Sequence, residues 1–372
     1  MILSDVDCRY CSAVSKAVGE DPIGSAIAAD QWLFIEVPRP WTKALWADQP
    51  HLAPLLPIFE QIRRKPHLWQ RLRIGAIAPD AEYSRPGHSH VLYYHRPSQP
   101  FSQFEAHTYC LPTEQVAHLA QALLLQPKQL TTFANCRQPT TTRDLLICTH
   151  THYDVACGRF GTPFYKKLRK DHGSPSTLHP PAHPSTHPPP PSLPLRIWQT
   201  SHFGGHNFAP TLIDFPTGHF WGHLDEDGID PLIRRQGEVT SLRPFYRGWA
   251  GCDRWAQIAE REIWMQEGWP WLRYQKSAQM IAKDPGKFSH RLLRWVLRWV
   301  PTIRAQVLLK KLEQKLNWAQ VRIQYRHPDS GEMGTYEVRV EVSHTVMSQM
   351  KSGQAQASYP VKQYRVVKLQ KL

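Results

Sequence analysis

The sequence predicts an α/β protein built as two tandem modules of one type, followed by a C-terminal appendage of helix and small sheet. Three observations carry this. The 372 residues suit two or three domains of roughly 100–200 residues each. At 41% hydrophobic and 20% charged residues, the chain can bury a real core, which excludes disorder along its whole length. The order strand, helix, strand, strand, strand, helix is read twice, over residues 1–135 and again over 136–245, with no residue-level repeat between them.

In the first module, WLFIEVP (Trp32 to Pro38) is an apolar strand-like run. PLLPIFEQIRRK (Pro54 to Lys65) follows as an amphipathic helix with basic residues in its last turn. RLRIGAIA, HVLYYHR and FEAHTYCL are three further strands separated by turn material. Glu114 to Leu125 closes the module as a helix, with Thr113 expected as its N-cap.

The second module opens with DLLICTH (Asp144 to His150), a strand ending at a cysteine. A helix is expected over Pro163 to Lys170, with proline in its first turn. LRIWQTSH, TLIDF and HFWGHL are the next strands, and Asp227 to Arg235 the last helix. The module is interrupted by Gly173 to Leu195, whose nine prolines and three histidines (His179, His183, His187) predict an extended, disordered insert. Its histidines lack the preorganised geometry of a metal site.

After residue 246 the composition shifts. Glu260 to Trp271 is rich in tryptophan, Phe288 to Lys311 is a basic helical candidate, and VRIQYR, YEVRVEV and QYRVVKL read as three strands. The formal net charge of +14 sits here: residues 1–135 carry 12 basic and 12 acidic side chains, 136–245 carry 11 and 9, and 246–372 carry 22 and 10. Such a surface predicts docking of an acidic partner, steered by charge and weakened by salt. In the basic segment, Arg291, Arg294 and Arg298 share one helical face, while Phe288, Leu292, Trp295, Trp299 and Ile303 line another. A membrane-interface helix has this pattern, but so does a helix packed on a domain, which is the expectation here. Nucleic-acid motifs are absent from the sequence.

The chemistry centres on Cys148 and Cys157, eight residues apart in between, and His202 and His206, three apart in between. Cys148 and His202 each end a strand. If those strands are parallel neighbours, the four residues converge at the carboxyl edge of the sheet, where open α/β sheets place their sites. Two thiolates and two imidazoles suit zinc or an iron–sulfur cluster. Gly204 and Gly205 lie between the histidines and place them on a loop rather than on one helix face.

The segment CTHTHYDVACGRFGTPFYKKLR, with SHFGGHNFAPTLIDFPTGHFWGHL after the insert, resembles the sucrase/ferredoxin-like family. GEDPIGSA and WLFIEVPRPW resemble that family's opening motif, so the likeness runs roughly from Cys8 to Leu224. It implies two thioredoxin-like modules and one [2Fe–2S] cluster, held outside the Rieske fold by Cys148, Cys157, His202 and His206. The implied role is an electron carrier that exchanges electrons with a redox partner protein. Ala209-Pro210-Thr211 before TLIDF resembles the cis-proline that borders the redox site of thioredoxins, so Pro210 is expected to be cis. No paired carboxylates are arranged for glycoside hydrolysis, and a sucrase is not expected.

Alternatives stay open at this point. The same four residues could hold Zn²⁺ in a binding module without redox chemistry. Cys8 and Cys11 form a CxxC that would serve a thiol–disulfide oxidoreductase, although inert thiols are the better expectation. His150 and His152 could ligate or support the ligands, and Asp154 and Arg159 are expected to be structural or partner-facing. Cys110, Cys136 and Cys252 have no partner at a diagnostic spacing. Seven cysteines suit a reducing compartment, and no apolar run approaches the roughly 18 residues of a spanning helix, so a cytoplasmic protein is expected.

Overall fold

Two runs in the chain are apolar at almost every position, WLFIE and LLIC. A strand covered on both faces has this character, in contrast to the alternation of a half-solvated one. In the computed structural model both become central strands. The structure describes residues 10–139, 142–173, 194–286, 315–353 and 358–372, with scattered positions between 292 and 313.

The first half holds α1 (Cys11–Ala17), β1 (Gln31–Glu36), α2 (Leu55–Arg63), α3 (Pro66–Trp69), β2 (Leu72–Ile77), β3 (His88–His95), β4 (Glu105–Pro112), α4 (Val116–Leu124) and β5 (Arg137–Gln138). The second holds β6 (Arg143–Cys148), α5 (Val155–His172), β7 (Leu195–Thr200), β8 (Leu212–Phe215), β9 (His219–Trp221), α6 (Glu226–Arg234) and β10 (Tyr246–Trp249). These strands make one ten-stranded mixed sheet in the order β10-β9-β8-β6-β7-β2-β1-β3-β4-β5. In each half the first strand lies between a parallel second strand and an antiparallel third: β1 between β2 and β3, β6 between β7 and β8. The halves meet where Ile77 of β2 pairs with Thr200 of β7.

A second sheet of four antiparallel strands completes the chain: β11 (Gln275–Lys283), β12 (Trp318–Arg326), β13 (Met333–Ser348) and β14 (Tyr359–Lys371). It is not an isolated unit. Helix α7 (Arg254–Glu267) buries Ile258, Ile263 and Trp264 in one core with Val321, Ile323 and Val338 of this sheet and with Leu145 and Leu212 of the other. Inside that core, the buried Lys276 ammonium donates to Glu260 at 2.8 Å, as does the Trp271 indole N–H. Both charges are thereby partnered, as burial requires.

Several local expectations are corrected. Thr113 is not the N-cap of α4; a 3-10 turn over Thr113–Gln115 precedes the helix, and the Thr113 hydroxyl meets Ser89 instead. The helix expected at Pro163 begins eight residues earlier at Val155, so Pro163 lies inside α5 rather than in its first turn. Asp154, with its side-chain cap, decides that start. Strand β11 lacked a strong apolar run and escaped the reading. The Ala209–Pro210 bond is cis, as expected. The insert histidines and Cys8 lie outside the described residues.

Candidate metal centre

The parallel register aligns Cys148 with Thr200, so the chain leaves β6 and β7 side by side at the same edge. After β6 it runs six residues to Asp154, whose carboxylate accepts from the Ala156 amide at 2.9 Å and caps α5. That cap places Cys157 in the first turn of the helix, beside Cys148. Two glycines allow the helix to come so close. A Cβ on Gly161 would stand 2.1 Å from the Cys148 carbonyl oxygen, and one on Gly158 2.0 Å from the Thr151 methyl.

Both thiols are buried, and both face one imidazole nitrogen. His202 Nδ1 lies 3.8 Å from Cys148 Sγ and 3.6 Å from Cys157 Sγ, and the three ligand atoms fall within 4.8 Å of one another. The Tyr153 ring stacks on His202 with centroids 3.7 Å apart. His150 does not join the group. Its Nδ1 accepts from the His202 backbone amide at 3.2 Å while its Nε2 faces the Trp41 carbonyl, so it positions the His202 loop. The His152 ring stands 6.4 Å from that of His150.

The His206 ring centre is 5.6 Å from that of His202, but its Nδ1 belongs to an adjoining group. It lies 3.4 Å from Cys11 Sγ and 3.6 Å from an Asp154 oxygen, and Cys11, Asp154 and His206 also bring their ligand atoms within 4.8 Å. A carboxylate on one nitrogen of a histidine orients the ring and leaves the other nitrogen for a metal. The four sequence-derived residues thus share one edge as a tight trio plus a neighbour turned towards Cys11 and Asp154.

Three contributors were not singled out for the site from sequence. Ser352, at the β13–β14 end of the second sheet, donates its hydroxyl to Asp154 at 2.6 Å and its amide at 3.0 Å. Cys11 is wholly buried beneath it. Arg247 in β10 is buried without a carboxylate partner among the described residues; its guanidinium donates to the Gly204 carbonyl at 3.1 Å and to the Ser25 carbonyl at 2.9 Å. Gly204 and Gly205 have φ of +92° and +82°, and a Cβ on Gly205 would stand 2.2 Å from the guanidinium. The loop between the histidines is therefore wrapped on a buried cation, which only glycine permits. An arginine in a short strand (YRGW) gives no sequence signal of burial.

The electrostatics favour an anionic sulfur. Burial opposes ionisation of Cys148, yet the hydrogen bonds from Cys157 and His202 draw it well below the usual thiol range. Cys157, donating to Cys148 and buried, is pushed up correspondingly. Burial lowers Arg247 to about 10, partly restored by attraction to both sulfurs. Burial raises the Cys11 thiol to about 12, and Ser352 among other donors holds Asp154 below the ordinary carboxylate range.

The donor set fits a soft metal centre: two neighbouring sulfurs, two imidazoles and a buried compensating cation. The spacing of the trio is also informative. A tetrahedral ion with Zn–S of about 2.3 Å and Zn–N of about 2.0–2.1 Å spans a sulfur–nitrogen edge of about 3.6 Å, close to the separations at His202. Beside His202 opens a cavity of about 290 Å³ lined by Trp32, Phe34, Arg73, Tyr153, His202 and Phe203, among others.

The sequence pattern of the sucrase/ferredoxin-like family matches residues 22–248, more than half of the chain. The chain belongs to the sucrase/ferredoxin-like family. The matched region of this family member covers nearly all of the ten-stranded sheet and ends within β10, just past Arg247. It leaves out Cys11 and the whole second sheet, including Ser352. No curated protein and no solved structure matches the chain. Among the described residues, no helix is long and apolar enough to cross a membrane.

Proposed function

We propose that this family member is an electron carrier with one [2Fe–2S] cluster held by Cys148, Cys157, His202 and His206. The cluster belongs to the second of two thioredoxin-like modules. The observation that carries the reading is the convergence of two buried sulfurs, Cys148 and Cys157, with the His202 and His206 loop at the shared edge of β6 and β7. The strand order, repeated in each half with a parallel inner pair, supports the thioredoxin-like description. A bound cluster would supply one-electron chemistry, and imidazole ligation raises its potential relative to four thiolates. The protein's own part is to bury the thiolates, offset their charge with Arg247, and orient His206 through Asp154. Tyr153, half exposed, covers His202 and marks the face where a redox partner protein would approach.

A second reading, a zinc-stabilised binding module on the same residues, is favoured by one observation. His202 Nδ1 approaches both sulfurs at the edge length of a single tetrahedral ion. Two Cys on one iron and two His on the other would need the imidazoles further from the sulfurs. A thiol–disulfide role through Cys11 has less support, because that thiol is fully buried and held protonated.

Anaerobic purification followed by visible absorption, electron paramagnetic resonance after reduction, and iron, sulfide and zinc analysis tests the proposal. The expected result is a coloured protein with about two irons and two sulfides per chain. Colour and iron should be lost in Cys148→Ser and His202→Ala but kept in Cys11→Ser. A colourless protein with one zinc would establish the second reading instead.

A further inference from the structure

Between β11 and β12 the chain makes a long excursion over residues 284–317 before the sheet resumes. This excursion has a small core of its own. Leu297, Ala305 and Leu312 are buried together, with Val300 and Leu309 against them, and the cluster is separate from the cores of the two sheets. A helix docked on a domain would bury its tryptophans. Here Trp295 is 64% exposed, Trp299 77% and Leu292 55%, with Val296 beside them. Among the described residues, the other tryptophans are all at least partly buried. The expectation that this face packs on a domain is therefore not met at Leu292, Trp295 and Trp299; Phe288, Ile303, Arg291, Arg294 and Arg298 lie outside the described residues.

The charge of the same stretch is one-sided. Residues 287–316 contain eight Lys and Arg and one acidic residue, Glu313, giving +7 from thirty positions. Glu313 is itself engaged by Lys283 at 3.3 Å, so it offers little to an approaching cation. Exposed aromatic and aliphatic side chains in a stretch whose sequence carries a surplus of positive charge match the interface of an anionic bilayer. There, indole rings settle at headgroup depth and long basic side chains reach the phosphates. A protein partner would need a complementary shape and, as a rule, both signs of charge at the rim. A lipid surface needs neither, and no cavity among those described is lined by this stretch.

We infer that the β11–β12 excursion is a peripheral membrane anchor: Leu292, Trp295, Val296 and Trp299 insert shallowly into an anionic bilayer, to which the net charge of +7 in the sequence of this stretch attracts it. Polybasic segments gain about 1 kcal/mol per Lys or Arg near such a surface. The inference does not depend on which metal the centre holds.

The full-length protein is mixed with vesicles of phosphatidylcholine alone or with 30% phosphatidylglycerol (a chosen probe composition), and bound protein is read by flotation. The expected result is binding to the anionic vesicles at about 0.1 M salt, at least tenfold weaker on neutral vesicles and several-fold weaker at about 0.5 M salt. Trp295→Ser/Trp299→Ser should lower the anionic partition coefficient at least tenfold, since both rings would leave the interface. Its thermal midpoint should match the parent, because the rings are exposed. Brominated lipids should quench parent fluorescence more than that of the double variant. No binding to anionic vesicles, equal binding by the double variant, or equal binding to neutral vesicles would overturn the inference. Concentration-dependent dimerisation without lipid, abolished in the double variant, would assign the face to a second copy of the chain.

Discussion

The Ser352 hydroxyl donates to the Asp154 carboxylate at 2.6 Å, joining residues 198 positions apart in the sequence. Asp154 simultaneously caps α5, meets His206 and receives the Ser352 amide, so one carboxylate links the second sheet to both loops that carry the candidate ligands. Ser352→Ala removes the hydroxyl and leaves the amide contact. A charge-assisted bond at a partly buried carboxylate predicts a loss of about 1–2 kcal/mol in urea unfolding. Asp154→Asn can still cap the helix but loses the charge on His206, and metal affinity should fall about 10–100-fold in chelator competition.

Arg247 stands apart as a buried cation whose direct partners are a carbonyl of the His202–His206 loop, two groups of Ser25, and the faces of Phe208 and Phe220. Arg247→Met deletes the charge that offsets the thiolates and strands the Gly204 and Ser25 carbonyls. Metal retention under a chelator should drop at least tenfold. Arg247→Lys should also weaken it, because an ammonium cannot span both carbonyls as the guanidinium does. Equal retention in both variants would show that the cation serves folding alone.

Gly205→Ala tests the loop from the other side. Alanine at φ +82° is strained by about 1–2 kcal/mol, and its Cβ would collide with the Arg247 guanidinium. Far-UV dichroism should stay unchanged while metal affinity falls at least tenfold, since only the placement of His202 and His206 is disturbed.

Buried histidines away from the centre, His90, His219 and His223 among them, contribute to the acid limit. Burial lowers His90 to about 4 and His223 to about 3, where His223 faces the Ser15 hydroxyl at 3.1 Å. Each is neutral in the folded state. Between pH 6.5 and about 4 the unfolded chain binds the extra protons, so stability is present above 6.5 and falls as pH drops through that window. The unfolding free energy from urea titration should decline from pH 7 to pH 5 by about 1–2 kcal/mol for each of these histidines. His223→Gln should flatten that slope, whereas an unchanged slope would remove His223 from the account.

The likeness between the two halves was legible because their central strands, WLFIE and LLIC, are apolar on both faces, and sandwiched strands must be so. Cys148 and His202 were legible because one ends a strand and the other follows a strand's end, and parallel pairing then brings them to one edge. Cys157 was legible by type and spacing, but its place in the first turn of α5 was hidden behind Pro163, which suggested a later start. The capping carboxylate of Asp154 overrode that signal.

The sequence alone therefore determined the α/β class, the family, the chemistry of four donors and the concentration of positive charge after residue 246. Those properties reside in residue type, local periodicity and short motifs. Only the tertiary structure decided that one sheet runs through both halves, and that His206 turns to Cys11 and Asp154. It also decided that Ser352 and Arg247 pack against the candidate centre and that Trp295 and Trp299 face outward. The physical reason is that hydrogen-bond partners hundreds of positions apart, and the burial or exposure of a side chain, depend on which surfaces meet, and no local pattern encodes that meeting.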